Sequence, residues 1–197
     1  MIGNAISVNG WMLWTELEWL AANAKRRRKI VEVGSWMGRS TRVLADSTPG
    51  CVYAVDTWKG SDEAEHHRIL KGQPEEWLFN EFKKNLLDHI TSLKVTAVNA
   101  TSEAAASLFK AKDETFDMIF VDASHDHANV KADLAAWFPL LAPGGLFCGH
   151  DFSANHPGVM QAVTEFFPEP ERVKKMAGGS IWFVWLSTTA SPVTTRR

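Results

Sequence analysis

Residues 120–130 read FVDASHDHANV, which packs Asp122, His125, Asp126 and His127 into six positions. An apolar run leads into the stretch and a helical-period pattern leads out. Carboxylates and imidazoles this close can hold a cation, accept a proton, cap a helix or stand in solvent. A second acid–imidazole pair, His150-Asp151, ends another apolar run. Two carboxylates converging at one sheet edge share a proton, hold a cation or point apart. Asp126 and His127 immediately precede an amphipathic pattern, so they are expected to start that helix.

The elements that must position these residues alternate along the chain. Short β-branched runs at 29–35, 51–57, 93–100, 116–124 and 144–151 read as strands. Helical periods at 10–29, 38–50, 74–90, 101–109, 127–141 and 156–167 separate them. In the first helix Trp11, Trp14, Leu17, Leu20 and Ala21 are expected on one face. Segments 171–177 and 180–187 flank Gly178-Gly179 and read as a closing hairpin. Continuous apolar strands alternating with helices imply a parallel sheet covered on both faces. The expected fold is α/β: a doubly wound, mostly parallel seven-stranded sheet of Rossmann-like type with a C-terminal antiparallel hairpin. The chain reads as one domain over 1–187, with an N-terminal helical segment at 1–27. Residues 188–197 read as a flexible tail.

Ligands of such sheets sit at the carboxyl ends of the strands, near the switch in strand order. The first strand ends at Gly34, and Gly34 and Gly38 bracket a turn that can approach a ligand closely. Ser35 and Trp36 break the G-x-G-x-x-G spacing that a nicotinamide cofactor would want. Asp56 ends the second strand, 22 residues after Gly34, where an acid can accept from both ribose hydroxyls. Thr101 and Ser102, after the third strand, can meet an adenine edge or cap a helix. Segment 57–74, which has no clean period and reads as a long loop or broken helix, leaves the sheet on the ligand side. It is the expected substrate lid, with His66 or His67 facing the acceptor.

With 197 residues, 45% hydrophobic and 22% charged, the chain has the composition of an ordinary globular domain with a full core. The formal charge of -2 argues against a nucleic-acid partner, and no apolar run reaches membrane-spanning length. A cytoplasmic location is the expectation. Cys51 and Cys148 lie in strand-like runs and read as buried free thiols. The tryptophan-rich N-terminal helix offers a surface for homo-oligomer packing.

In order and spacing, EVGSxxGRST, VDTWKG, FDMIFVDASH and LAPGGLFCGHD resemble class I S-adenosylmethionine-dependent methyltransferases. The likeness is greatest to small O-methyltransferases that include macrolide-sugar methyltransferases and cephalosporin-hydroxylase-type proteins. It spans roughly residues 28–186. The resemblance implies O-methylation of a small-molecule hydroxyl. It also implies that Gly34, Ser35 and Gly38 line the methionine part of the cofactor, that Asp56 holds the ribose with Trp58 beside it, and that Thr101 and Ser102 lie near the adenine. His125 matches the general base of the sugar methyltransferases. Asp122 and Asp151 match magnesium-binding acids of metal-dependent relatives, with Asp122 also bordering the cofactor. His150 stands where those relatives carry a third carboxylate, and imidazole is a poor ligand for magnesium. That departure leaves magnesium, a softer divalent ion or no ion open. It also keeps open a cofactor-binding protein without catalysis, beside a nicotinamide-dependent oxidoreductase on the same sheet.

Overall fold

The computed structural model describes residues 2–169 and 171–187. The tail expected at 188–197 lies outside the described residues. Helix α1 (Ile2–Ile6) and α2 (Trp14–Ala24) precede strand β1 (Lys29–Val33). There follow α3 (Arg39–Ser47), β2 (Cys51–Asp56), α4 (Ala64–Leu70), α5 (Trp77–Asn85), α6 (Leu87–Thr91) and β3 (Val95–Asn99). Then come α7 (Ser102–Ala111), β4 (Phe116–Val121), α8 (His127–Trp137), β5 (Leu141–Gly149), α9 (Pro157–Phe166), β6 (Lys174–Lys175) and β7 (Trp182–Trp185).

The strands form one sheet in the order β3-β2-β1-β4-β5-β7-β6. The pairs from β3 to β5 are parallel, and β7 is antiparallel to both β5 and β6. Strand side chains alternate between two faces, and the core divides accordingly. Ile30, Met118, Phe120 and Leu146 pack with Leu17, Leu20, Val43 and Leu44 from α2 and α3. Val31, Val33, Ile119 and Phe147 pack with Phe109, Leu134, Trp137 and Val163 from α7, α8 and α9. Strand order reverses between β1 and β4, so the expected switch point lies directly above Gly34 and Asp122. Among the described residues no helix is long and apolar enough to cross a membrane.

Two local readings change and a third is resolved. The chain is not yet helical at Trp11, so the expected stripe loses its phase. Trp11 and Trp14 are 51% and 47% exposed, whereas Glu16 is 2% exposed. The buried face of α2 is Glu16, Leu17, Leu20, Ala21 and Ala24. The helix expected over 74–90 is broken at Leu86 into α5 and α6. The segment after β2, which reads as a long loop or broken helix, contains the short helix α4.

Candidate active site at the strand ends

Register brings the strand ends into one row. Val33 is level with Val55 on one side and Val121 on the other, and Val121 is level with Gly149. The next residues, Gly34, Asp56, Asp122 and His150, therefore emerge side by side. They border a cavity of about 820 Å³, within the range of a site for a cofactor and a small acceptor. Gly34 has φ +87, and a Cβ there would lie 2.1 Å from the carbonyl oxygen of Asp122. Only glycine lets the first turn close against the end of β4.

On one side of the cavity the Asp56 carboxylate organises the turn. One oxygen accepts from the backbone N–H groups of Ser35 and Trp36, both at 2.9 Å, and the other from Trp58 at 2.6 Å. Burial raises the Asp56 pKa, partly offset by these N–H groups. Behind the turn, Glu32 is buried and accepts from the hydroxyl of Ser35 at 2.7 Å and from Thr41. Burial outweighs these hydrogen bonds and pushes Glu32 up to about 7. Thr101 caps α7 by accepting from Ala104 N–H at 3.3 Å. Ser102 donates to Asp133 and accepts from Trp137 Nε1 at 2.8 Å.

On the other side three histidines converge on Asp151. His125 Nε2 lies 2.8 Å from Asp151 Oδ2, and His150 Nδ1 lies 3.1 Å from the same oxygen. His156 Nε2 lies 3.5 Å from Oδ1. Asp151 itself has φ +59, a left-handed backbone uncommon for a residue with a side chain and of the kind that collects at functional sites. The remaining nitrogen of His125, Nδ1, lies 2.7 Å from Glu63 Oε1, just ahead of α4. The remaining nitrogen of His150, Nε2, lies 3.0 Å from Glu16 Oε2 of α2, and His150 Nδ1 is 3.6 Å from Asp122 Oδ1. A Cβ on Gly158 would lie 2.5 Å from the carbonyl oxygen of His125. That close approach seats the start of α9, and with it His156, against the His125 loop.

This charge pattern shifts the protonation of His150, Glu16, Asp151, Asp122 and His125. Burial alone would lower His150, but the Asp122 charge and the hydrogen bonds with Asp151 and Glu16 drive it up to about 11. Burial would raise Glu16, but bonds from His150, Ser180 and Leu13 bring it down to about 2. Burial also opposes the ionised form of Asp151, yet His125 and His150 hold it well below the usual carboxylate range. Asp122 is raised by burial, with His150 opposing and Asp151 adding to the shift. His125 is raised despite burial, by Asp151 first and then Glu63 and Asp122.

A pH dependence of stability follows. The raised His150 contributes fully below its ordinary value of 6.5, and that contribution fades as pH climbs toward about 11. Raised Glu32 and Asp122 act in the same direction, because ionising them in place is costly. The lowered Glu16 contributes above its ordinary 4.5 and loses that contribution as pH falls toward about 2. Because the Glu32 and Asp122 costs set in above their ordinary 4.5 and 3.8, the melting temperature is expected to peak at about pH 4–5 and to decline from there to about pH 9 in differential scanning calorimetry. A melting temperature that rises across the alkaline half of that range contradicts this charge assignment.

Residues 31–152 match the family described as methyltransferase domain. The chain belongs to that family. Related folds agree. An O-methyltransferase from Bacillus cereus, solved in complex with SAH, superposes with a TM-score of 0.63 at 21% identity, covering 93% of this chain and 87% of that one. A calicheamicin methyltransferase gives 0.67 at 14% identity, over 87% and 78% of the two chains. An O-methyltransferase of tomaymycin synthesis from Streptomyces achromogenes, solved with SAM, gives 0.59 at 16%, over 90% and 82%. The uncharacterized protein y4gI of Sinorhizobium fredii is 28% identical over 151 residues. That match covers 71% of this chain but only 15% of y4gI.

In this methyltransferase domain the expected site residues separate into two groups. Gly34, Ser35, Asp56, Thr101, Ser102, His66, Asp122, His125, His150 and Asp151 all border the cavity. Three do not. Gly38 begins α3 behind the turn, where a Cβ would lie 2.3 Å from Leu86. Trp58 is 2% exposed and packs on Phe79 and Phe82 beneath the site, because its indole N–H is drawn to the Trp36 carbonyl. His67 points to the exposed side of α4, 3.9 Å from Asp62, while His66 stacks on Trp36 with ring centroids 4.2 Å apart. Asp126 caps α8 by accepting from Asn129 N–H at 3.0 Å, as expected of a helix-start residue.

Sequence reasoning missed Glu16, Glu63 and His156. Glu16 had a legible signal: it stands three residues after the helix boundary, where a carboxylate accepts from the N-cap backbone, here Leu13 N–H at 2.9 Å. Glu63 and His156 had none, since their roles depend on how the segment after β2 and the start of α9 fold over the strand ends.

Proposed function

We propose that this domain transfers a methyl group from S-adenosylmethionine to a hydroxyl oxygen of a small molecule. The observation that carries the reading is the Asp151–His125 pair, which fixes an imidazole at the cavity opposite the Gly34–Asp56 turn. The family match and the fold shared with O-methyltransferases support it.

In this reading Gly34 and Ser35 border the methionine end of the cofactor, Asp56 accepts from the ribose hydroxyls, and Thr101 and Ser102 border the adenine. The cradle fits: the turn bears no side chain at Gly34, and Asp56 Oδ1, which accepts from Trp58 N–H, keeps a second lone pair. When bound, S-adenosylmethionine supplies an electrophilic methyl carbon on a sulfonium. The chain must hold the acceptor oxygen in line with it and remove the hydroxyl proton. Asp151 holds His125 through Nε2, which leaves Nδ1 to take that proton. The acceptor hydroxyl takes the place of Glu63 at Nδ1. The bound cofactor would supply the methyl carbon and take back the carbon–sulfur electron pair, while His125 holds the proton of the acceptor hydroxyl. His66 borders the acceptor.

A divalent cation is implied by the resemblance, at Asp122, Asp151 and His150. Ligand atoms of these three lie within 4.8 Å of one another, as do those of His125, Asp151 and His156. The donor set does not suit magnesium. It offers two carboxylates and an imidazole whose two nitrogens both face carboxylates, whereas magnesium requires near-octahedral oxygen. No step is assigned to a metal.

The test uses labelled S-adenosylmethionine with phenols, sugars and other small hydroxylated acceptors. Because Asp151 raises the pKa of His125, the activity should rise with pH along a limb above the ordinary histidine value. In Asp151→Asn that limb is expected to move to lower pH and kcat to fall about 10–100-fold. An unmoved limb assigns the proton to another group.

A further inference from the structure

The environment of His150 has more negative charge than a single neutral imidazole would need. Glu16 comes from α2, Asp122 from the end of β4 and Asp151 from the end of β5, and all three carboxylates face its ring. Glu16 is built for this contact. Its second oxygen accepts from Ser180 N–H at 2.7 Å and from the Ser180 hydroxyl at 3.0 Å, and its first also accepts from Leu13 N–H. A buried carboxylate is costly without a cation and full hydrogen bonding. Glu16 has both, provided that His150 is charged. Glu16 and Ser180 also lie outside residues 31–152 that match the family, so both ends of this chain complete the arrangement.

Asp151 leaves little room for a metal bond. Its oxygens already face His125, His150 and His156. With both ring nitrogens at hydrogen-bond distance from carboxylate oxygens, each nitrogen must carry a hydrogen for those contacts to be favourable.

We propose that His150, clamped by Glu16, is a permanent imidazolium standing in place of a divalent cation between Asp122 and Asp151, so that this site operates without a metal. His150 is a positioning residue here. Its charge lets two carboxylates share one strand edge, keeps Asp151 ionised and aimed, and through Asp151 sets the ring of His125. The inference rests on the methyl-transfer reading for its purpose, but its tests need no turnover.

The first test is nitrogen NMR of histidine-labelled, chelator-treated protein, with the His150 ring signals assigned by loss in His150→Asn. Both His150 nitrogens are expected to be protonated from about pH 6 to about pH 9, and added Mg²⁺, Mn²⁺ or Zn²⁺ to leave them unmoved. Elemental analysis of untreated protein should find no stoichiometric divalent ion. The second test is His150→Asp, which restores a third carboxylate. Mn²⁺ affinity, read by calorimetry, is expected to rise at least about tenfold over the parent protein. A neutral His150 whose Nδ1 signal moves on adding an ion, or a stoichiometric ion retained by the parent protein, overturns the proposal. So does a folded His150→Asp with no gain in Mn²⁺ affinity. Should that variant fail to fold, the two measurements on the parent protein decide alone. Protein that keeps a charged His150 and binds no ion, yet methylates no acceptor, would count against the methyl-transfer reading and leave this one standing.

Discussion

His125→Ala is expected to lose about 10²–10⁴-fold in kcat while S-adenosylhomocysteine affinity stays within a few-fold. A hydroxyl is a weak nucleophile until its proton leaves, and His125 borders the cavity with Nε2 held by Asp151 and Nδ1 beside Glu63. The cofactor groups assigned to Gly34, Asp56 and Thr101 sit at the other strand ends, so their contacts survive the truncation. Folding should also survive, because His125 is partly exposed on a loop. Exogenous imidazole is expected to restore part of the rate by entering the vacated space, a rescue that a purely structural role for His125 would not show. Full turnover in His125→Ala would assign the proton to another group, with Glu63 the first to examine.

Asp56→Ala carries the second large effect, on binding and on stability together. The carboxylate accepts from three backbone N–H groups at 2.6–2.9 Å. Hydrogen bonds to a charged group contribute about 1.5–3 kcal/mol each. Water entering from the cavity replaces part of this, so a net loss of about 2–4 kcal/mol is expected. For a domain of this size that lowers the melting temperature by about 5–15 °C. The ribose loses its acceptor as well, and S-adenosylhomocysteine affinity is expected to fall at least about a hundredfold. Asp56→Asn keeps one acceptor oxygen and should fall between the two. Unchanged affinity in a folded Asp56→Ala would remove the ribose assignment, whatever the stability does.

The legible part of this protein is the part encoded locally. Five apolar β-branched runs announced β1 to β5, and Gly178-Gly179 announced the hairpin that carries β7. Residues that end strands were readable as a site because parallel register brings strand ends together without any knowledge of side-chain packing. Gly34, Asp56, Asp122 and Asp151 were singled out for this reason, and His125 by its resemblance to the base of the sugar methyltransferases. What failed was tertiary. Trp58 sits in a loop by sequence, but its ring turns inward onto Phe79 and Phe82. Glu16 looks solvated in its helix until Ser180 and His150, 164 and 134 residues away, arrive to satisfy it. Glu63 and His156 acquire meaning only when the segment before α4 and the start of α9 close over the same imidazole.

The central claim is that these strand ends bind S-adenosylmethionine rather than a nicotinamide cofactor or nothing. Isothermal titration of the purified protein with S-adenosylhomocysteine and, separately, with NAD tests it most directly. The account predicts a one-to-one heat of binding for S-adenosylhomocysteine, lost in Asp56→Ala, and none for NAD. Binding of NAD with no response to S-adenosylhomocysteine would contradict it.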